Sequence, residues 1–141
     1  MHATRRNILL AATAMITSPI LAQAVPSTKV AMEAVRNATA DPMAVQFRNV
    51  TTRGTLVCGE YNAKNLLGAY VGFDRFVFEP SRNEGFLMKS MARISRSGVI
   101  ESPDGIIRRV REGGGGVDPK AARQQMEKIT SDASAMLLQC A

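Results

Sequence analysis

The N-terminal segment limits how much of this chain is available to fold. Residues 1–6 contain two arginines and no acidic residue, residues 8–21 are mostly apolar, and Ala22–Ala24 matches a small-x-small cleavage site. This pattern predicts a cleaved export signal over residues 1–24 and a mature chain over residues 25–141. A membrane anchor is the disfavoured alternative, because the apolar stretch is shorter than the roughly 20 residues that a span needs. The arginine pair leaves both Sec and twin-arginine export open.

Two cysteines, Cys58 and Cys140, remain in the predicted mature chain. Export predicts a periplasmic or secreted location, where an even pair of cysteines more often forms a disulfide than stays reduced. Such a bond would close a long loop and contribute on the order of 4 kcal/mol to stability in the chain-entropy description. The alternative is a reactive thiol, which needs a neighbouring cation. Arg53 and Lys64 are near Cys58 only along the sequence.

The missing residue types exclude several kinds of enzyme. The only histidine, His2, belongs to the predicted leader, which removes histidine-dependent nucleophiles and histidine-ligated zinc. Two cysteines are too few for a four-thiolate metal site, and Gly113–Gly116 is a plain glycine run without a nucleotide-binding pattern. The sequence therefore predicts no cofactor, no metal and no enzymatic activity. Carboxylate or thiol catalysis stays open as an alternative.

The charge balance favours anionic partners. Removal of the leader leaves 16 basic and 12 acidic residues, a net charge of about +4 on a single domain of residues 25–141. Phospholipid headgroups, polyanionic surface polymers or an envelope protein fit this charge, whereas nucleic acid is an improbable partner outside the cytoplasm. The alternative is a solvated surface with no ligand. The basic residues are concentrated at Arg93, Arg96, Arg108, Arg109 and Arg111.

The apolar spacing predicts an α+β fold with about four antiparallel strands. A helix begins near Pro26–Thr28 and ends before Asp41-Pro42, since the residue before a proline is pushed out of helical geometry. The third strand carries most of the aromatic bulk and is expected to be central, with a bulge near Asp74-Arg75. The four predicted strands cover Gln46–Thr52, Thr55–Tyr61, Tyr70–Phe78 and Gly85–Ile94.

Residues 95–117 are predicted to form a flexible, glycine-rich loop. Within it, Val99-Ile100 and Ile106-Ile107 are candidates for a small hairpin around the Pro103–Gly105 turn. The glycine run at its end is expected to be mobile, because four glycines have no side chains to pack. The alternative for this run is a phosphate-binding nest.

The C-terminal segment predicts a long helix from Asp118-Pro119 to about Gln139. Asp118 suits the N-cap and Pro119 the first helical position. Apolar residues recur at spacings of three and four, which places them on one helix face directed at the sheet. The same geometry brings Cys140 towards Cys58, whose strand face also carries Leu56. The predicted apolar face consists of Ala122, Met126, Ile129, Ala133, Met136 and Cys140.

Three segments carry a resemblance to a known group of proteins. They are Asp41–Val50 with its Asp-Pro-x-x-x-x-Phe-Arg pattern, Cys58–Asn65 with Cys-Gly-Glu-x-Asn-x-Lys-Asn, and Gly68–Phe73 with Gly-x-Tyr-x-Gly-Phe. Together with Cys140 they make the chain similar to a family of small exported bacterial proteins of unknown function. The resemblance implies export and a paired cysteine, and it implies no activity.

The sequence offers two candidate binding regions. One is the polar loop with Glu60, Asn62, Lys64 and Asn65, whose amide, cationic and carboxylate groups could bind a carboxylate or a sugar. In the alternative interpretation, Asn62 and Asn65 cap the turn and Glu60 pairs with Lys64 or an arginine. The second candidate region is the basic cluster of Arg108, Arg109 and Arg111.

These observations favour an exported, non-catalytic binding module for an anionic or envelope component. A small enzyme with carboxylate or thiol chemistry is one alternative. A purely structural or stress-associated envelope protein is the other.

Overall fold

The computed structural model describes residues 27–112 and 118–141, so the predicted leader and the glycine run lie outside the described residues. Six strands form one sheet in chain order, and every neighbouring pair is antiparallel. The predicted α+β class and antiparallel pairing are confirmed. In chain order the elements are α1 Ser27–Asn37, a 3-10 turn Pro42–Ala44, β1 Gln46–Arg53, β2 Leu56–Asn62, β3 Asp74–Glu79, β4 Glu84–Leu87, β5 Ala92–Ser95, β6 Gly98–Glu101, α2 Pro103–Arg111 and α3 Pro119–Leu138.

The predicted number of about four strands is too low. The segment predicted as one strand over Gly85–Ile94 is divided into β4 and β5 by a tight turn, in which Met91 has a positive φ of 49°. Met88 in this turn is buried, so the apolar pattern continues through the reversal and conceals it from periodicity analysis. Strand β6 is not among the four predicted strands, although Val99-Ile100 within it is a candidate for one side of a small hairpin in the predicted loop. The prediction that β3 is central is confirmed.

The bulge was predicted in the wrong strand. Strand β3 pairs regularly with both neighbours, and the register instead shifts in β1 between Arg48 and Thr51. Asn49 lies within this irregularity and has a positive φ of 53°, a conformation that asparagine tolerates better than most residues. The extra residue redirects side chains of β1 towards its neighbour β2.

The region after β5 is more ordered than predicted. Residues 98–111 form β6 and α2 where a loop was expected, and the predicted hairpin around Pro103–Gly105 is wrong. Ser102 is the N-cap of α2, and its hydroxyl oxygen accepts a hydrogen bond from the Gly105 amide at 3.2 Å. Ile106 is the buried anchor of this helix. The sequence Ser-Pro-Asp-Gly is compatible both with a capped helix start and with a turn, which explains the wrong prediction.

The sheet buries apolar residues on both faces. Helix α1 covers one face with Ala31, Ala34 and Val35, which pack on strand residues such as Phe76 and Phe78. Gly59 makes room on this face, because a Cβ there would lie 2.7 Å from the Phe76 ring. Helices α2 and α3 cover part of the opposite face. Their cluster contains Leu56, Cys58, Val77, Phe86, Met88, Ile106, Ala122, Ile129 and Ala133.

Helix α3 and the disulfide agree with the sequence predictions. Asp118 caps the helix by accepting a hydrogen bond from the Lys120 amide, and Pro119 is its first residue. Every residue of the predicted apolar face belongs to the cluster beneath α3. Cys58 and Cys140 form a disulfide with a Cα–Cα distance of 5.8 Å. Among the described helices, none is both long and apolar enough to cross a membrane.

Candidate functional site

A cleft opens on the sheet where the cover provided by α3 ends. Its cavity has a volume of about 320 Å³ and lies beside the Cys58–Cys140 disulfide. Residues directly opposite each other in an antiparallel pair share a face, so the pairs Arg48–Glu60, Thr51–Cys58 and Arg53–Leu56 direct these β1 side chains to the α3 side. None of the described helices covers this strip, and the side chains that β1 presents there are polar.

Among the described residues, Glu60 is the only one with an acidic side chain in the cleft. Its Oε2 accepts hydrogen bonds from Arg48 Nε at 2.6 Å and from Asn49 Nδ2 at 2.9 Å. These two hydrogen bonds, the one from Arg48 first, hold the pKa of the carboxyl below its usual value. The β1 bulge makes the second bond possible, because it turns the Asn49 amide towards β2. Glu60 is therefore a charged carboxylate with one oxygen, Oε2, held by two donors.

The Arg48 side chain is fixed from two directions. Its guanidinium carbon lies 3.9 Å from the centre of the Phe73 ring, within the range of a cation–π contact, while Nε binds Glu60. Half of the Arg48 side chain is nevertheless exposed. Arg48 therefore orients the Glu60 carboxylate, and through Phe73 it also contacts the loop between β2 and β3.

Arg75 supplies the cleft with positive charge that is not neutralised by an ion pair. It lies directly opposite Glu60 in the β2–β3 register and lowers the pKa of Glu60 further by its charge. It is exposed and makes no side-chain hydrogen bond or ion pair with another described residue. Arg53 lines the opposite part of the cleft, where Nη1 donates to the backbone oxygen of Ala141 at 3.2 Å. Arg48 and Arg75 thus lie next to the Glu60 carboxylate, and Arg53 adds a cation at the other end of the cleft.

The polar loop predicted as a binding region is divided by the structure. Glu60 lies in the cleft, whereas Asn62 is buried and donates to Gln46 Oε1 at 3.3 Å. The Nζ of Lys64 lies 3.8 Å from an Asp41 carboxylate oxygen. Asn65 Oδ1 accepts from two backbone amides of its own turn at 3.0 Å. Glu60 and Asn65 thus have the contacts expected if they pair with an arginine and cap the turn.

The predicted basic cluster also separates. Arg109 pairs with Glu101 at 3.5 Å, while Arg108 and Arg111 are exposed in the last turn of α2, where cations stabilise a helix end. Arg93 and Arg96 pair with Glu84 and Glu33 respectively. None of these five arginines lines the cleft.

Sequence reasoning missed Asn49, Thr51, Arg53 and Arg75 as cleft residues. Their common signal is the strand register, which places them beside Cys58 and Glu60. That register requires the β1 bulge and the true start of β3, and both were predicted elsewhere. The described residues contain no group of three metal-ligating side chains. No protein-family model, curated protein sequence or solved structure matches the chain.

Proposed function

We propose that this protein is an exported, non-catalytic binding module, and that the cleft beside the disulfide holds an anionic group of its ligand. Arg75 is the observation that carries the proposal. Its guanidinium lines the cleft, is exposed and has no ionic partner among the described residues. Guanidinium groups bind carboxylates and phosphates through paired, charge-assisted hydrogen bonds.

The surrounding groups support an anion in preference to a cation. Glu60 already accepts from Arg48 and Asn49, so little negative charge is left to attract a cation. The Thr51 hydroxyl adds a neutral donor on the same face as Arg75. The volume of about 320 Å³ is at the lower limit of ligand pockets and suits one charged headgroup of a larger molecule.

The same contacts disfavour the enzymatic alternatives. A general base works best when its pKa lies near the operating pH, and hydrogen bonding moves the pKa of Glu60 in the opposite direction. Thiol chemistry requires a thiolate, and both cysteines are bonded to each other. Anion binding, in contrast, requires no change in the protonation state of Glu60 or of the arginines. The disulfide also supports the periplasmic or secreted location inferred from the N-terminal segment.

The test is a calorimetric titration of the purified protein with tripolyphosphate, a small soluble polyanion. We expect Arg75→Ala to weaken binding by about tenfold, the equivalent of one charge-assisted interaction of roughly 1.5 kcal/mol. Arg111→Ala is the matched control, because it removes the same charge from α2, outside the cleft. Equal weakening by both variants, or by neither, would contradict the proposal.

A second variant tests whether the Glu60 carboxylate opposes anion binding or takes part in it. Glu60→Gln removes the acidic side chain of the cleft while it preserves an oxygen that can accept from Asn49. A binding module should then hold tripolyphosphate more tightly, since repulsion of the anion is reduced. Weaker binding by Glu60→Gln would show that the carboxylate itself takes part in recognition.

A further inference from the structure

The loop between β2 and β3 exposes two adjacent leucines. Leu66 is 94% exposed and Leu67 is 91% exposed, the highest values among the large apolar residues that the structure places on the surface, with Met43 at 92%. A single exposed leucine is ordinary, but two at the end of a projecting turn present a contiguous apolar surface to water. We call Leu66 and Leu67 the apolar tip.

The turn that carries the leucines is held in shape by its own hydrogen bonds. Asn65 Oδ1 accepts from the amides of Leu67 and Ala69, and the Asn65 backbone pairs with Ala69 and Gly68. Gly68 has a φ of 79°, a conformation that favours glycine. The leucines are therefore presented outward by a preorganised turn, which lowers the ordering cost of any contact they make.

The loop that carries the leucines also contains two exposed aromatic rings, each in contact with a cation. Tyr70 and Phe73 are 44% and 38% exposed, and the Tyr70 hydroxyl donates to the Ala44 carbonyl beside Met43 at 2.9 Å. The Nζ of Lys64 lies 5.5 Å from the Tyr70 ring, and Arg48 lies over the Phe73 ring. At a bilayer surface, aliphatic side chains enter the hydrocarbon edge, aromatic rings lie at the interface and cations contact the headgroups, so each of these groups would have a partner there.

We propose that the apolar tip inserts into the surface of a bilayer that contains anionic phospholipids. Insertion into lipid would bury both leucines. Lipid chains adapt to the inserted side chains, so no complementary groove on a partner is needed. Four cations and three carboxylates lie on this loop and on the strand ends and turn beside it, and two of the carboxylates are paired with Arg48 and Lys64. The remaining excess of one positive charge favours an anionic surface. The four cations are Arg48, Lys64, Arg75 and Lys89, and the three carboxylates are Asp41, Glu60 and Asp74.

The test is co-sedimentation of the exported protein with vesicles of phosphatidylethanolamine and phosphatidylglycerol. The intact mass of each preparation confirms that all variants share the same N-terminus. We expect the double variant Leu66→Ser/Leu67→Ser to partition about 100-fold more weakly, because burial of each leucine accounts for about tenfold. Leu138→Ser is the matched control, since Leu138 is 76% exposed at the end of α3 and lies outside the tip.

Tryptophan fluorescence can report directly whether the apolar tip enters the bilayer. The chain contains no tryptophan, so Leu67→Trp introduces a single indole whose emission reports its surroundings. We expect this emission to move to shorter wavelength with the anionic vesicles and to stay unchanged with phosphatidylcholine vesicles. An unchanged emission with both vesicles, or the same movement with both, would overturn the proposal.

Two other results would also overturn it. One is equal partitioning of the wild type and the double variant. The other is a wild-type dimer in sedimentation velocity that becomes monomeric in the double variant, because the tip would then bind a second copy of the chain. The inference goes beyond the cleft and can fail separately, since the tip variants leave Arg75 and its response to tripolyphosphate intact.

Discussion

The two faces of the sheet are built differently. The face under α1 is closed by small helical residues, Ala31 and Ala34, that allow Phe76 and Phe78 to pack beneath them. The face under α3 is apolar only as far as the Cys58–Cys140 disulfide, and beyond it β1 presents Arg48, Asn49, Thr51 and Arg53. Packing serves stability on the first face. On the second face the disulfide marks the boundary between core and polar cleft, and it ties the end of α3 to β2 at that boundary.

Removal of the disulfide should give the largest effect. The double variant Cys58→Ser/Cys140→Ser releases a link between residues 82 apart in sequence, for which loop-closure entropy predicts a loss of about 4.5 kcal/mol. We expect denaturant unfolding to show this loss. We also expect faster hydrogen exchange at the end of α3 than at α1. Uniform exchange over both helices would contradict the boundary role given to the disulfide.

The second largest effect on stability is expected from a core substitution under α1. Phe78 is fully buried under α1, and Phe78→Ala is expected to reduce the free energy of unfolding by about 4 kcal/mol. Phe73→Ala removes the same ring from an exposed position beside the cleft, where we expect a loss below about 1 kcal/mol. Similar losses for the two variants in urea unfolding would remove the distinction between packed and open faces.

Alkaline pH should weaken the protein through Tyr61. Burial, and then the nearby Asp74 carboxylate, raise the pKa of its hydroxyl above the ordinary value of 10. The unfolded chain therefore ionises first, and stability falls as pH rises above 10, by about 1.4 kcal/mol per unit for one group. We expect Tyr61→Phe to reduce this slope in thermal unfolding at pH 10 to 11. An unchanged slope would contradict the burial of this ring.

The smallest effect is expected on the acid side. Hydrogen bonds from Arg48 and Asn49 lower the pKa of Glu60, so its contribution is present above the unfolded value of 4.5 and is lost as pH falls. Glu60→Gln should make stability slightly less dependent on pH below that value, as thermal unfolding from pH 5 to 3 would show. A steeper acid dependence in the variant would contradict the assigned contacts.

Much of the fold can be predicted from local sequence rules. The face of α3 and its approach to Cys58 were predictable, because one helical period contains every buried position up to Cys140. Helix α2 was missed although Ser102 and Pro103, like Asp118 and Pro119, supply a capping side chain followed by proline at the first helical position. The two segments differ in the residues after the proline, since Gly105 and a short apolar pattern in α2 also suit a turn. The local sequence of α2 is equally compatible with a helix start and with a turn. Burial of Ile106 against the sheet cluster favours the helix.

The cleft was only partly predictable. Glu60 was identified because it is close to Cys58 in sequence, and proximity along the chain was sufficient. Arg75 lies opposite Glu60 only because β3 begins at Asp74 and pairs in one particular register. Asn49 reaches Glu60 only because β1 is irregular. Register and bulges depend on the packing of the whole sheet, and no local pattern in these segments encodes them.

The most direct test of anion binding in the cleft is a titration of isotope-labelled protein with tripolyphosphate, monitored through the side-chain Nε signals of arginine. We predict that the Arg75 signal shifts and saturates, with smaller changes at Arg48 and Arg53. Arg108 and Arg111 are expected to respond only weakly and without saturation. Saturation at the α2 arginines with an unchanged Arg75 signal would contradict the assignment of the cleft.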